Sequence, residues 1–172
     1  MEPEPGQMPR SISVCFVCTG NICRSPTAEG ILRSKLEICT GHSRMEVHSA
    51  GTHGYHIGDA PDPRSQAAAL RRGYDLSQLR ARRFQPDDFQ NFDWVLALDR
   101  GHLAMLKNLA GSRYQGKLRM ATCCSSRYRD QDVPDPYYGS PRDFELVLDM
   151  LEDAATGLVQ ALSHGTLPGN PG

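Results

Sequence analysis

The strongest constraint on the fold of this chain is a short apolar segment that leads into a tight turn and then a helix. Residues 12–17 read ISVCFV, a nearly continuous β-prone run of the kind that is buried on both faces of a parallel sheet. The run stops at Cys18, and a Thr-Gly-Asn turn follows. Pro26 suits the first turn of a helix, which we predict to continue to about Cys39. The sequence therefore predicts a strand–loop–helix unit near its start.

The rest of the chain alternates between strand and helix patterns. We predict strands at 45–48, 93–98 and 117–121, and helices at 65–72, 101–109 and 141–162. Strands that alternate with helices indicate a three-layer α/β fold, in which a parallel sheet carries helices on both faces. Ligands of such sheets bind beyond the carboxyl ends of the strands.

Composition bounds the number of domains and the kinds of partner. A chain of 172 residues fits one domain, which we place at 11–163, between a flexible N-terminal extension (1–10) and a flexible tail (164–172). With 19 basic and 20 acidic residues there is no overall basic field, so we expect no nucleic-acid partner. No signal peptide and no long apolar run is visible. We therefore predict a cytoplasmic protein without membrane insertion, whose six cysteines are reduced.

The loop after the first strand has the composition of a phosphate-binding loop. It reads CTGNICRS at 18–25, between the predicted strand and helix. Successive backbone amides at a helix N-terminus converge on one anion. Gly20 and Asn21 can take the left-handed conformations that turn amides inward, and Arg24 adds a planar fork of donors.

A cysteine at the mouth of this loop adds chemistry to binding. The groups that attract phosphate also stabilise a thiolate, so we expect Cys18 to be a nucleophile. Ser25 can donate a hydrogen bond to that sulfur and ease its departure. C-x5-R alone is a weak pattern, and the alternative is a surface turn with a structural cysteine.

Breaking a phosphate ester also needs a proton donor, and Asp135 in VPDPYYG is the candidate. Pro134 and Pro136 stiffen its loop. Tyr137 and Tyr138 can form an aromatic wall that favours an aryl phosphate. The alternative is that this segment is a well-formed turn, since Asp, Pro and Gly are common turn residues.

Together these segments resemble the low-molecular-weight protein-tyrosine phosphatases, in order and spacing from about residue 12 to 162. The matching motifs are VCTGNICRSPTAEG at 17–30, SAGT at 49–52, PDPR at 61–64, DFQNFD at 88–93 and DPYYG at 135–139.

The resemblance implies hydrolysis of phosphotyrosine in proteins, and of aryl phosphates, through a phosphocysteine intermediate. It implies a four-stranded parallel sheet and neither a metal nor another cofactor. Cys18 is implied as nucleophile, Arg24 as phosphate ligand, and Asp135 as general acid and then base. The implied binding and supporting residues are Thr19, Gly20, Asn21, Ile22, Cys23 and Ser25 of the loop, Tyr55 and Tyr137 of the aromatic wall, and Ser49, which bonds to Asn21.

Several points stay open. Cys23 matches a cysteine that forms a reversible disulfide with the nucleophile in part of the family, so a protective Cys18–Cys23 disulfide is a hypothesis. Arg72 stands where several members carry a histidine that supports the loop serine, and arginine cannot accept a hydrogen bond. Tyr137 and Tyr138 resemble sites that kinases phosphorylate in some relatives. The physiological substrate is not named, and both a monomer and weak self-association fit.

Three other functions are compatible with parts of the sequence. A thiol-dependent arsenate reductase shares the fold and the phosphate-binding loop, but it needs further cysteines directly after the third strand. The segment there, ALDRGHL at 97–103, contains none. The next cysteines, Cys123 and Cys124, come about 25 residues after the strand. A redox or metal module could use Cys15 and Cys18, but strand alternation points them to opposite faces. A non-catalytic phosphate-binding adaptor would not need Cys18 or Asp135.

Overall fold

The computed structural model of the protein describes residues 11–40 and 45–169, so the expected N-terminal extension at 1–10 lies outside the described residues. The strands are β1 (Ile12–Cys18), β2 (Met45–Gly51), β3 (Trp94–Ala97) and β4 (Leu118–Met120). The helices are α1 (Arg24–Thr40), α2 (Pro63–Arg71), α3 (Asp88–Asn91), α4 (Arg100–Tyr114) and α5 (Pro141–Ser163).

The four strands form one parallel sheet in the order β2-β1-β3-β4. Helices α1, α2 and α5 pack on one face, in the core that contains Phe16 and Cys18. Helices α3 and α4 pack on the other face, with Cys15 and Val17. The predicted three-layer fold is confirmed, and so is the expectation that Cys15 and Cys18 point to opposite faces.

Strand β2 and helix α1 are longer than their sequence patterns. Strand β2 continues three residues past the predicted end at His48, because Ser49, Ala50 and Gly51 pair with β1 as far as Cys18. Helix α1 begins at Arg24 rather than near Pro26. Pro26 is tolerated inside the first helical turn because amides of that turn have no intrahelical acceptor.

The other differences lie in the crossovers that flank β3. The short helix α3 was not predicted in the arginine-rich crossover; it is held by Phe89, which is fully buried. Helix α4 runs past the predicted end at residue 109, but Gly111 has non-helical backbone angles (φ 58°, ψ −168°), so the regular part ends close to the prediction.

Residues 164–169 of the expected flexible tail lie against the domain. Leu167 is 5% exposed and belongs to the core on the α5 side of the sheet. Arg119 Nε donates a 2.5 Å hydrogen bond to the carbonyl of Pro168. None of the helices in the described residues is long and apolar enough to cross a bilayer.

Candidate active site

The loop 18–25 lies at the carboxyl end of β1, beside the point where the chain changes direction across the sheet. From β1 the chain runs outward to β2 and then crosses back to β3 on the other side of β1. Such switch points leave a crevice in which α/β proteins bind ligands. The first residues of α1 begin within the loop, so their unpaired amides face this crevice.

Cys18 lies at the floor of the crevice and is 3% exposed. Its Sγ is 2.9 Å from the hydroxyl of Ser25. Asn21 Nδ2 donates to that hydroxyl oxygen at 2.7 Å, which leaves the hydroxyl hydrogen free for another acceptor. The carbonyl of Ala50 is farther away, at 3.4 Å, so the sulfur is the nearer acceptor. The Ser25 hydroxyl can therefore donate a hydrogen bond to the Cys18 sulfur.

Asn21 fixes the curvature of the loop. Its backbone is left-handed (φ 59°), a conformation that asparagine tolerates better than most residues. Its amide nitrogen also donates to Ser49 at 2.9 Å, which is the contact that the resemblance implied. Its side-chain oxygen accepts a 3.0 Å hydrogen bond from the backbone of Arg82. The loop is therefore tied to β2 and to the crossover before β3.

A buried carboxylate, Glu29, continues this support and was missed from the sequence. Ser49 donates to Glu29 at 2.6 Å, and Arg33 pairs with the other carboxylate oxygen at 2.7 Å. Burial raises the pKa of Glu29, against the opposing effects of Ser49 and Arg33. The signal was available in the motif SPTAEG, because Glu29 follows Ser25 by four residues and so lies on the same face of α1.

Arg72 takes no part in the described contacts of Ser25. Its guanidinium pairs instead with carboxylates on α5, at distances of 2.5–2.9 Å: Glu145, Asp149 and Glu152. Support for the loop serine therefore comes from Asn21, and Arg72 joins α2 to α5.

Arg24 is held by two acceptors on one side of its guanidinium. Nη1 donates to Asp99 Oδ2 at 2.8 Å and to the carbonyl of Val133 at 3.0 Å. Nη2 lies 3.8 Å from Asp135. Burial acts to raise the pKa of Asp99, but the amide and ring of His102 and the Arg24 guanidinium hold it below its usual range. Asp99 therefore stays ionised and orients the Arg24 guanidinium toward the crevice.

His102 is the second residue that the sequence did not reveal. It is buried on α4, with Nε2 2.8 Å from the hydroxyl of Thr19. Its Nδ1 is 3.1 Å from Asp99 Oδ1, without the alignment of a hydrogen bond. Burial lowers the pKa of His102 to about 4, so the ring is neutral at pH 7. His102 thus supports the start of the loop from the α4 side.

The crevice is a cavity of about 270 Å³ that brings most of the predicted site residues together. Asn21, Ser25 and Ser49 lie behind its wall and support it. Its lining consists of Cys18, Thr19, Gly20, Ile22, Cys23, Arg24, Tyr55, His56, Asp135, Tyr137 and Tyr138.

Aromatic side chains form the rim of the cavity. Tyr55 is 73% exposed and stacks on His53 with ring centres 5.1 Å apart. Tyr137 packs edge-on against Tyr138 at 4.8 Å. Asp135 lies below them, half exposed, and accepts a hydrogen bond from the backbone of Tyr137 at 3.1 Å. The carboxylate, the thiol and the guanidinium therefore open into the same cavity.

The other thiols are placed differently. Cys23 is buried, and burial raises its pKa to about 12. Cys18 and Cys23 are both free thiols here, so their disulfide stays a prediction. Within residues 11–40 and 45–169, no three side chains of His, Cys, Asp or Glu gather as metal ligands.

Comparison with known proteins adds to this geometry. A profile described as low molecular weight phosphotyrosine protein phosphatase matches residues 13–166. A low molecular weight protein-tyrosine-phosphatase of Streptomyces coelicolor is 46% identical over 152 residues, which cover 87% of this chain and 92% of the relative. A low molecular weight phosphotyrosine protein phosphatase of Homo sapiens is 38% identical over 136 residues, which cover 78% of this chain and 85% of the relative.

The fold comparison agrees. A crystal structure of a protein tyrosine phosphatase from Entamoeba histolytica superposes with a TM-score of 0.86 at 34% identity, covering 90% of this chain and 99% of the other. Both sequence relatives exceed 30% identity over more than two thirds of this chain. The chain therefore belongs to the low molecular weight phosphotyrosine protein phosphatase family.

Proposed function

We propose that this protein hydrolyses phosphotyrosine in proteins, and other aryl phosphate monoesters, through a phosphocysteine intermediate on Cys18. One observation carries the proposal. The Cys18 sulfur lies 2.9 Å from a hydroxyl donor, at the floor of a cavity that Arg24 and Asp135 also line. The names of the relatives, which are protein-tyrosine phosphatases, support the same class of reaction.

The phosphate is bound by the loop amides of residues 19–24 and by Arg24. These amides sit at the N-terminus of α1, where the helix dipole favours an anion. Asp99 and Val133 occupy Nη1 of Arg24, so its remaining donors are available to phosphate oxygens. The guanidinium is thus oriented by protein acceptors, which lowers the entropic cost of forming the reactive complex.

In the first step, the Cys18 thiolate attacks phosphorus. A sulfur–phosphorus bond forms while the bond from phosphorus to the phenolic oxygen breaks, and Asp135 gives its proton to that oxygen. In the second step, the Asp135 carboxylate takes a proton from water, and the water oxygen attacks phosphorus. The sulfur–phosphorus bond breaks, its electron pair returns to Cys18, and Ser25 donates a hydrogen bond to the restored thiolate.

The burial of Cys18 relative to the tyrosines at the rim supports a preference for phosphotyrosine. Cys18 is nearly inaccessible at the floor, whereas Tyr55 and Tyr137 stand at the rim. An aryl group spans this depth and can stack on the tyrosines, while the short side chain of phosphoserine leaves phosphorus short of the sulfur.

The alternatives lack support at particular residues. The segment after β3 provides Asp99 and His102, which support the loop, and no cysteine to relay a disulfide from Cys18, as an arsenate reductase needs. A non-catalytic phosphate-binding adaptor does not need a carboxylate and a thiol in its binding cavity, whereas Asp135 and Cys18 both line this one. For assembly and location we propose a monomer, or a weakly self-associating protein, in the cytoplasm.

The test is hydrolysis of para-nitrophenyl phosphate and of a phosphotyrosine peptide by the wild type, Cys18→Ser and Asp135→Asn. Loss of the thiolate should abolish turnover of both substrates. Loss of the acid should slow the peptide more than para-nitrophenyl phosphate, whose leaving group is acidic and needs no proton. A Cys18→Ser protein as active as wild type would falsify the mechanism.

A further inference from the structure

Cys123 and Cys124 follow β4 and have no role in the proposed phosphatase chemistry. Their sulfur atoms lie 3.6 Å apart. Cys123 is buried, whereas Cys124 is partly exposed and lines an open cavity of about 540 Å³ together with Arg129, Gln160 and His164. Because β4 lies two strands from β1 in the sheet, this pair is separated laterally from Cys18 by roughly 10 Å.

We propose that Cys123 and Cys124 form a dithiol site that binds trivalent arsenic, in the form of a monosubstituted arsonous acid, through both sulfur atoms. A soft atom bonded to two sulfurs at about 2.3 Å, with an angle of roughly 100° between the bonds, holds the sulfurs about 3.5 Å apart. The separation of 3.6 Å is close to that value, so chelation needs little movement of either side chain.

The same geometry disfavours the two other products that adjacent thiols could form. Neighbouring Cα atoms are about 3.8 Å apart across a trans peptide, whereas disulfides usually join Cα atoms at least about 4.4 Å apart. A disulfide between adjacent residues is therefore strained. A structural zinc ion needs four ligands, and no group of three His, Cys, Asp or Glu side chains forms in the described parts of the chain. An arsonous acid needs two sulfurs alone.

Cys124 is the thiol that an arsonous acid reaches first, because it is partly exposed and lines the cavity, whereas Cys123 is 3% exposed. The hydrogen bond between the two sulfurs and the charge of Arg129 also hold the pKa of Cys124 below its usual range, against the opposing effects of burial and Asp130. The position of its backbone is set by α5, where a Cβ on Gly157 would overlap the carbonyl oxygen of Cys124. The Cys124 thiol is thus held at the edge of the cavity, 3.6 Å from the sulfur of Cys123.

The reaction is a condensation without electron transfer. Two arsenic–sulfur bonds form, two arsenic–hydroxyl bonds break, and the two thiol protons leave with the hydroxyls as water. Arsenic remains trivalent throughout, so no oxidant or reductant is required. The product is a ring that contains arsenic and both sulfurs.

The test uses phenylarsine oxide, which hydrates to such an acid, and the full-length protein with Cys18→Ser and Cys23→Ser to remove the thiols of the catalytic cavity. We expect one equivalent bound by intact mass, with loss of both hydroxyls. A 1,2-dithiol should release it, and a monothiol at the same concentration should not. Adding Cys123→Ser or Cys124→Ser should weaken binding at least 100-fold, because each leaves a single bond. Cys15→Ala, which removes a thiol buried on the other face of the sheet, should leave binding unchanged.

Either of two results overturns the proposal: dithiol-reversible binding that persists when both residues are serine, or single variants that bind as tightly as their parent. Because Cys123 is buried, its replacement could disturb folding, so thermal unfolding of each variant is measured alongside. Cys124 is partly exposed, and Cys124→Ser therefore decides the question even if Cys123→Ser is unstable.

Discussion

Replacing Asp99 by asparagine tests how the Arg24 guanidinium, which we propose binds phosphate, is held in place. Asp99 accepts from Arg24 Nη1 at 2.8 Å and caps α4 by accepting from the backbone of His102 at 2.9 Å. Asparagine is also a good helix cap, so Asp99→Asn keeps α4 and removes the charge that orients Arg24. The two functions of this side chain are thus separated by one substitution.

The expected magnitude follows from the contact. Arg24 is nearly buried and Asp99 is only 25% exposed, so solvent screens their interaction weakly. Asp99→Asn keeps a hydrogen bond to the charged guanidinium but removes the attraction between two opposite charges, which is about 1 kcal/mol at 4 Å in bulk water and larger where solvent is partly excluded. A loss of roughly 1–1.5 kcal/mol corresponds to about a tenfold loss in kcat/KM for para-nitrophenyl phosphate. Competitive inhibition by inorganic phosphate should weaken by a similar factor, since the proposal has Arg24 bind the phosphate group of both molecules.

A matched control is available on the surface. Asp132 pairs with Arg100 at 3.3 Å, and both side chains are about half exposed or more, so Asp132→Asn should change kcat/KM less than twofold. If Asp99→Asn behaves like Asp132→Asn in both assays, Asp99 does not orient Arg24 and the argument is refuted.

Three further predictions concern the loop, a buried histidine and a close helix contact. Asn21→Ala removes the left-handed turn residue and its side-chain bonds, so kcat should fall roughly 10- to 100-fold; a change within twofold, with the thermal midpoint unchanged, contradicts this. Because burial lowers the pKa of His102 from 6.5 to about 4, the unfolded chain binds more protons between these values and stability falls as pH decreases through them. Urea unfolding at pH 7 and pH 5 should show the wild type losing about 2 kcal/mol more than His102→Gln, and equal losses refute the assignment. Gly157→Ala should destabilise the protein by about 1–3 kcal/mol because its Cβ meets the backbone of Cys124, whereas Gly116→Ala, with open space around it, should change stability by less than about 0.5 kcal/mol.

The local sequence was sufficient to predict those parts of the fold and of the candidate site that are formed within one short segment of the chain. The strand before Cys18, the turn at Asn21 and the helix after it could be predicted because hydrophobic pattern, turn residues and helix start agree over a short span. Asp135 was proposed as the proton donor from its local segment as well, and it lines the same cavity as Cys18.

Residues whose role depends on distant contacts could not be found from the sequence. His102 looks like an ordinary polar residue of a helix until α4 brings it to Thr19, 83 positions away in the chain. The last residues of β2 are small or polar and give no strand pattern, and they form a strand because they pair with β1. The sequence gives no partner for Arg72, because the acids on α5 that bind it lie more than 70 positions away. Tertiary contacts decide all three cases.

The loop that carries Asp135 is anchored at Val133, whose side chain is fully buried. Its amide donates to the carbonyl of Leu98 at 2.8 Å, and its carbonyl accepts from Arg24 at 3.0 Å. The segment is thus fixed to the end of β3 and to Arg24 by protein contacts alone. An acid delivered on such a loop needs no lid closure before chemistry. Turnover should therefore be insensitive to solvent viscosity, and its rate should follow the making and breaking of bonds to phosphorus.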